Sequence, residues 1–183
     1  FSMGATRGDG ELGEEISENL RTIPSLPLRI PVDGSFQAPE VLVVRGEVFI
    51  NKSDFESLNQ RLAEAGEKTY LNPRNTAAGS LRQLDAKITA TRPLKILVYQ
   101  IVSSSEDVPI TQWETLDYLK KLGFPVSDIC QYAPDLEAAI LLCEKAADVR
   151  QSWPFDADGT VIKLNNLTLA DSLGFVGKDP RGA

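Results

Sequence analysis

Two stretches of apolar, mostly β-branched residues constrain the fold of this chain more than any other feature. Val41–Ile50 and Pro93–Val102 are each predicted to form a strand, because valine and isoleucine favour an extended backbone and pack well on a pleated sheet. Predicted helices lie between these two strands and after them, so strands and helices alternate irregularly along the chain. The pattern predicts an α+β fold, with mostly antiparallel sheets flanked by helices.

Helix boundaries are marked by local capping residues. Ser53-x-x-Glu56 and Thr111-x-x-Glu114 are capping boxes, and each predicts a helix that ends at a glycine, Gly66 or Gly123. Four further helices are predicted over Glu14–Leu20, Asn75–Leu84, Asp135–Val149 and Thr168–Leu173. Asp33-Gly34 predicts a turn, and Asp156–Leu164 predicts a turn followed by a third strand.

Composition excludes several kinds of chemistry. The chain has no histidine, which removes histidine acid–base catalysis, Ser-His-Asp triads and His-ligated zinc. Cys130 and Cys143 fit no metal motif, so we expect no metal site built by the protein and a reducing, cytoplasmic setting. No apolar run predicts a membrane span. A net charge of −7 argues only weakly against nucleic-acid binding, because it does not locate the arginines.

The segment Gly8–Gly13 has the G-x-G-x-x-G spacing of a dinucleotide fingerprint. That fingerprint requires a buried strand before it and a helix N-terminus that can receive a pyrophosphate. Here Ala5-Thr6-Arg7 precedes it, and several carboxylates in and after the segment would repel an anion. We therefore interpret the segment as a glycine loop between two elements.

Arg45-Gly46-Glu47 interrupts the first predicted strand with two charges. Alternation places Arg45 and Glu47 on one face, and a glycine within a strand often marks close approach by a ligand. The segment is either part of a cleft or a solvated ion pair on an edge strand, and strand physics alone does not decide between them.

Two other segments carry cations in suggestive places. Lys163 follows apolar residues of the third predicted strand and could hold a phosphate, the alternative being that Asp158-Gly159 forms a simple hairpin turn. The nearby carboxylates could help to bind Mg²⁺ but are not a site by themselves. Arg74 and Arg82 flank a predicted helix and could bind phosphates, the alternative being solvated side chains.

Together, four segments resemble the adenylation domain of bacterial NAD-dependent DNA ligases. They occur in the family's order and with family-like spacing, and the resemblance extends from about Gly4 to Arg181. The segments are Ala5-Thr6-Arg7-Gly8-Asp9-Gly10, Val44-Arg45-Gly46-Glu47-Val48-Phe49, Asn72–Asp85 and Asp158-Gly159-Thr160-Val161-Ile162-Lys163.

The resemblance implies an ATP-grasp-like nucleotidyltransferase fold and a three-step reaction. A lysine attacks NAD to form lysyl-AMP, AMP moves to the 5′-phosphate of a nick, and the 3′-hydroxyl displaces it with Mg²⁺ present. Glu47 would bind the ribose, Tyr99 would stack on adenine, and Arg7 would contact the nucleotide. Lys163, near adenine and phosphate, and Asp158 would support catalysis. Nicked duplex DNA would contact Arg74, Arg82 and Arg150.

The sequence also departs from the family pattern. The family's nucleophile lies in a Lys-x-Asp-Gly motif, and Asp156-Ala157-Asp158-Gly159 is the nearest match here, without a lysine. We expect residues 1–183 to be a partial adenylation domain, inactive alone, monomeric and without the OB-fold, zinc and helix-hairpin-helix modules. The alternative is a non-catalytic paralogue that binds nucleotide or DNA. An RNA ligase or capping enzyme would not be expected to share Asn72–Asp85.

Overall fold

The computed structural model describes residues 1–10, 12–31, 37–176 and 179–182. They fall into two compact units. Unit 1 comprises Phe1–Arg29, Glu47–Ile96 and Trp153–Asp156, and unit 2 comprises Ile30–Gly46, Leu97–Ser152 and Ala157–Ala183. The turn predicted at Asp33-Gly34 lies outside the described residues.

Helices and strands are mixed along the chain, which agrees with the predicted α+β class. The helices are α1 Ser17–Leu20, α2 Lys52–Glu64, α3 Pro73–Leu81, α4 Ala86–Ala90, α5 Gln112–Lys121, α6 Leu136–Val149 and α7 Leu167–Ser172, with a 3₁₀ turn at Arg150–Ser152. The strands are β1 Leu42–Phe49, β2 Lys95–Ser104, β3 Phe175–Val176 and β4 Asp179–Pro180.

The two long strands occur where the sequence predicted them. β1 and β2 form a two-stranded sheet. The backbone N–H of Ser105 donates to the carbonyl of Val41 at 2.9 Å, so the end of β2 lies beside the start of β1, as in an antiparallel pair. The short strands β3 and β4 are antiparallel, with Phe175 opposite Pro180. The finer assignment to an ATP-grasp-like fold stays a prediction.

The third predicted strand is wrong. Residues 157–164 form no strand, and Val161 and Ile162 are 71% and 48% exposed. A strand needs a hydrogen-bonded neighbour along its length. Here the described backbone contact is a single bond, from the Leu164 N–H to the Gly182 carbonyl at 2.9 Å. The β-branched residues are present as predicted, but the described residues show no series of backbone hydrogen bonds to a neighbouring strand.

The capping-box prediction is confirmed at one helix and wrong at another. At α5, the Thr111 hydroxyl accepts from the Glu114 N–H at 3.2 Å and donates to the Glu114 carboxylate at 2.7 Å. α2 instead begins at Lys52, one residue before the predicted cap Ser53. The Lys52 N–H donates to the Pro154 carbonyl at 2.7 Å, so a distant backbone group satisfies the first turn.

The helix predicted over Asn75–Leu84 is shorter and earlier in the structure. α3 begins at Pro73, and its cap Asn72 accepts from the Asn75 N–H at 3.0 Å. Proline is favoured at the first position of a helix, where its missing N–H would have no partner. A second short helix, α4, follows after the cap Asp85 and was not predicted.

Each unit has its own buried apolar residues. In unit 1 these are Ile16, Leu20, Ile23, Leu26, Ile50, Ala77 and Leu94, which form one cluster. In unit 2, Leu119 and Leu122 of the α5 segment are completely buried, and Val98 of β2 is 1% exposed.

Within the described residues, no helix is long and apolar enough to cross a membrane.

Candidate functional site

Lys163 and Tyr99 form the best-defined contact among the predicted site residues. The Lys163 Nζ lies 4.9 Å from the centroid of the Tyr99 ring, within the range of a cation–π interaction. Tyr99 is held by its place in β2, and its carbonyl accepts from the Gln112 side-chain amide at 2.8 Å. The sequence predicted both residues, and the structure brings them together within unit 2.

A second cation adds to this cluster. Burial lowers the pKa of Lys163 below its ordinary value, the positive charge of Arg45 lowers it further, and a negative charge on Cys130 would act in the opposite direction. Arg45 itself donates to the Gln100 side-chain carbonyl at 3.4 Å. Two positive charges thus lie close together beside a half-buried aromatic ring, and an anion would reduce their repulsion.

Gln100, Gln112 and Cys130 were not predicted as neighbours of this cluster. Gln100 adjoins Tyr99 in sequence but contacts Arg45, and Gln112 lies at the start of α5. Glutamine is common on protein surfaces and Cys130 belongs to no motif, so only tertiary proximity distinguishes these residues. We call Arg45, Tyr99 and Lys163 the cation cluster.

Glu47 lies on β1 two residues after Arg45. The burial of β1 alternates, with Val43, Arg45 and Glu47 on the exposed face, so the prediction that Arg45 and Glu47 share a face is confirmed. Glu47 belongs to unit 1, whereas the cation cluster belongs to unit 2. A single pocket that unites Glu47 with Tyr99 and Lys163 stays a prediction.

The loop after Arg7 is a glycine turn, as interpreted from the sequence. The Arg7 carbonyl accepts from the Gly10 N–H at 3.0 Å, and the Asp9 carboxylate accepts from the Leu12 N–H at 2.8 Å. Gly8 has φ of 56°, and a Cβ there would lie 1.6 Å from the Leu12 carbonyl oxygen. The glycine is therefore required by the turn itself. Arg7 is exposed and belongs to unit 1.

The arginines of the α3 segment are exposed at its two ends. Arg74 lies in the first turn, and Arg82 is the residue at which the helix ends. The Arg82 Nε lies 3.4 Å from a carboxylate oxygen of Glu14, and both side chains are more than half exposed. These arginines lie on unit 1, as does Arg7.

The remaining predicted residues are exposed. Asp158 lies in the irregular segment 157–164, and Arg150 lies at the end of α6. Asp156, by contrast, is 3.8 Å from the Lys52 ammonium in unit 1. Over the described part of the chain there is no cluster of three or more carboxylates, cysteines or histidines.

Comparison with known proteins points to one family. The model of the NAD-dependent DNA ligase adenylation domain matches residues 1–183. A protein named DNA ligase from Chloroflexus aggregans is 48% identical over 191 residues, which cover 100% of this chain and 28% of that protein. DNA ligases from Herpetosiphon aurantiacus and Marinobacter nauticus are 48% and 45% identical, each over 100% of this chain and 27% of its own length. The chain thus spans about a quarter of the length of these relatives.

The charge of Arg45 should be visible in the titration of Lys163. Replacing Arg45 by glutamine removes a nearby positive charge, so the pKa of Lys163 should rise towards its ordinary value, while burial keeps it lowered in part. The pKa can be read from the ¹³Cε shift of Lys163 in an NMR titration. Arg45→Lys retains the charge and should leave the pKa close to that of the unaltered chain. An unchanged pKa in Arg45→Gln would contradict the proximity of the two cations.

Proposed function

Because the chain belongs to the NAD-dependent DNA ligase adenylation domain family, we propose that it supplies the nucleotide pocket and part of the nick-binding surface of such a ligase. The observation that carries this proposal is the cation cluster, in which Lys163 lies over the Tyr99 ring. The relatives at 45–48% identity are named DNA ligases, which favours this function over a non-catalytic paralogue.

The cation cluster has the chemistry that an adenylate needs. An aromatic face can stack on adenine, and Lys163 and Arg45 can neutralise the phosphate and the charge that develops during phosphoryl transfer. Glu47, exposed on the same strand as Arg45, would accept hydrogen bonds from the ribose hydroxyls, and Arg7 would add a further contact to the nucleotide.

The chemistry of sealing would follow from that pocket. NAD is the proposed donor of the adenylyl group, Mg²⁺ would offset phosphate charge, and Asp158 would support catalysis. This sequence contains no Lys-x-Asp-Gly motif, so these 183 residues alone would hold the nucleotide without attacking it. Nothing in this division of roles requires histidine, because positioning and charge stabilisation dominate phosphoryl transfer.

The proposed DNA surface is built from exposed arginines. Arg74 and Arg82 lie at opposite ends of α3, and Arg150 lies at the end of α6. Guanidinium groups bind phosphate oxygens through paired hydrogen bonds, and such contacts set the register of a protein on a duplex. A chain with a net charge of −7 can use them, because the local cations rather than the total charge meet the DNA backbone.

Nucleotide binding should depend on Lys163. We expect the chain to bind AMP, and Lys163→Met to weaken binding about 10-fold or more, since a lost charge-assisted hydrogen bond is worth roughly 1.5–3 kcal/mol. Isothermal titration calorimetry would measure both affinities. Lys145→Met, on the exposed side of α6, is the matched control and should bind AMP normally. Equal affinities for Lys163→Met and the unaltered chain would contradict the assignment.

The missing motif leads to a separate prediction. After incubation with NAD and Mg²⁺, the chain should carry no covalent AMP, because no Lys-x-Asp-Gly nucleophile is present to form the phosphoramide bond. Intact-mass spectrometry checks this directly, with a full-length ligase relative as the positive control. A mass increase of one AMP on the chain would show that another lysine serves as the nucleophile.

Binding to nicked duplex DNA should depend on Arg82 and on salt. Arg82→Gln should weaken binding and lower the slope of log affinity against log salt by about 0.9, the value for one lost phosphate contact. Fluorescence anisotropy over a salt series would give both quantities. Arg61→Gln removes an equally exposed arginine from α2 and is the control. Identical slopes for Arg82→Gln and the unaltered chain would remove Arg82 from the DNA surface.

A further inference from the structure

A buried asparagine holds the end of the helix that carries the DNA-facing arginines. Asn19, in α1, is 6% exposed. Its side-chain amide donates one hydrogen to the carbonyl of Leu81 and the other to the carbonyl of Gln83, both at 2.8 Å. Both donors of the side chain are therefore used, and both on the same short piece of backbone.

Arg82 is the residue between those two carbonyls. Its own segment is weakly held by local bonds: the Arg82 N–H reaches the Gly79 carbonyl at 3.3 Å and the Gln83 N–H reaches the Ser80 carbonyl at 3.4 Å. Both are at the long end for hydrogen bonds, as is common where a helix ends and carbonyls lose their partners. The shorter bonds from Asn19 are thus the firmer attachment of the backbone around Arg82.

The remaining acceptor of Asn19 is also engaged. The Thr89 hydroxyl lies 3.0 Å from the Asn19 Oδ1 and 2.8 Å from the Ser80 carbonyl, so its one proton is directed at these two oxygens. Thr89 is completely buried and Ser80 is 4% exposed. Because the Thr89 hydroxyl binds the side-chain oxygen of Asn19, the side-chain nitrogen faces the opposite way, towards the carbonyls of Leu81 and Gln83.

The side chain of Arg82 is held by the same stretch of chain. Glu14, which precedes α1, lies 3.4 Å from the Arg82 Nε at the surface. Asn19 therefore holds the backbone beside Arg82 in the interior, and Glu14 contacts the guanidinium at the surface. The buried contact is worth more, because water screens the exposed pair.

We propose that Asn19 is a positioning residue for Arg82, fixing the direction in which its side chain leaves α3 towards a DNA phosphate. The inference rests on the proposed DNA contact of Arg82 and extends it to a residue that the DNA does not touch. If the end of α3 were disordered, DNA binding would have to fix both the side-chain torsions of Arg82 and its backbone, and each would cost conformational entropy. The Asn19 contact removes the second of these costs before DNA arrives.

A double-mutant cycle tests this on the same chain. Affinity for nicked duplex DNA is measured by fluorescence anisotropy for the unaltered chain, Asn19→Ala, Arg82→Gln and the double variant. We expect Asn19→Ala to weaken binding roughly fivefold, about 1 kcal/mol, when Arg82 is present. The same substitution should have no effect in the Arg82→Gln background, because the two residues act through one contact.

The controls separate positioning from general destabilisation. Leu58→Ala opens a cavity in α2, at a residue that is 3% exposed, and should leave DNA affinity unchanged while the chain stays folded. Asn19→Ser, which removes the amide but buries a small polar side chain without a charge, replaces Asn19→Ala should that variant fail to fold. Amide hydrogen exchange at Arg82 and Gln83 should quicken in either Asn19 variant and not in Leu58→Ala.

The outcomes discriminate between the two proposals. The positioning role is overturned if Asn19→Ala weakens DNA binding equally with and without Arg82. It is also overturned if Arg82→Gln weakens binding and Asn19→Ala alone does not. A normal affinity in Arg82→Gln instead overturns the DNA contact of Arg82, on which the inference rests.

Discussion

The buried hydrogen bonds of Asn19 are the constraint on which the geometry of unit 1 most depends. An amide removed from water is costly unless all its hydrogen bonds are made. Here the carbonyls of Leu81 and Gln83 and the hydroxyl of Thr89 make them. These hydrogen bonds join α1 to the end of α3 and to α4, and they depend on direction more strongly than the surrounding apolar contacts do.

Unit 2 depends on a different kind of interaction. Lys163 is half-buried against Tyr99 with a second cation, Arg45, close enough to lower its pKa. This arrangement does not stabilise the unit as an ion pair would, since burial and like charge both oppose the ammonium. The ring quadrupole of Tyr99 offsets part of that cost. A lysine with a lowered pKa that also contacts an aromatic ring is a candidate functional residue, which is why the proposed nucleotide role rests on this cluster.

Local signals in the sequence predicted elements well where the structure is also local. The Thr111 cap and the glycine loop at Gly8 depend on residues within a few positions, and both were predicted. The strand at 157–164 was wrong because a strand is defined by its neighbour, which no periodicity supplies. The start of α2 was misplaced for the same reason, since its first N–H meets Pro154 from far along the chain.

The site residues divide along a similar line. Tyr99, Lys163 and Arg82 could be predicted from a family resemblance, because their motifs are contiguous in sequence. Asn19 and Gln112 could not, since an asparagine in a short helix and a glutamine after a cap are ordinary until the backbone they hold is known. The residues that position a site are therefore harder to predict from one sequence than the residues that would touch its ligand.

The proposed DNA contact of Arg82 would require a phosphate to replace Glu14 beside its guanidinium. An exposed ion pair is worth only about 0–1 kcal/mol, so a phosphate can displace Glu14 at little cost. The backbone of Arg82 has no need to move in that exchange, because its contacts with Asn19 are buried on the opposite side. Arg82 therefore has a weak side-chain contact with Glu14, which offsets its charge in the free chain, and a firm backbone contact with Asn19. The first could be exchanged for the proposed phosphate contact while the second stays in place.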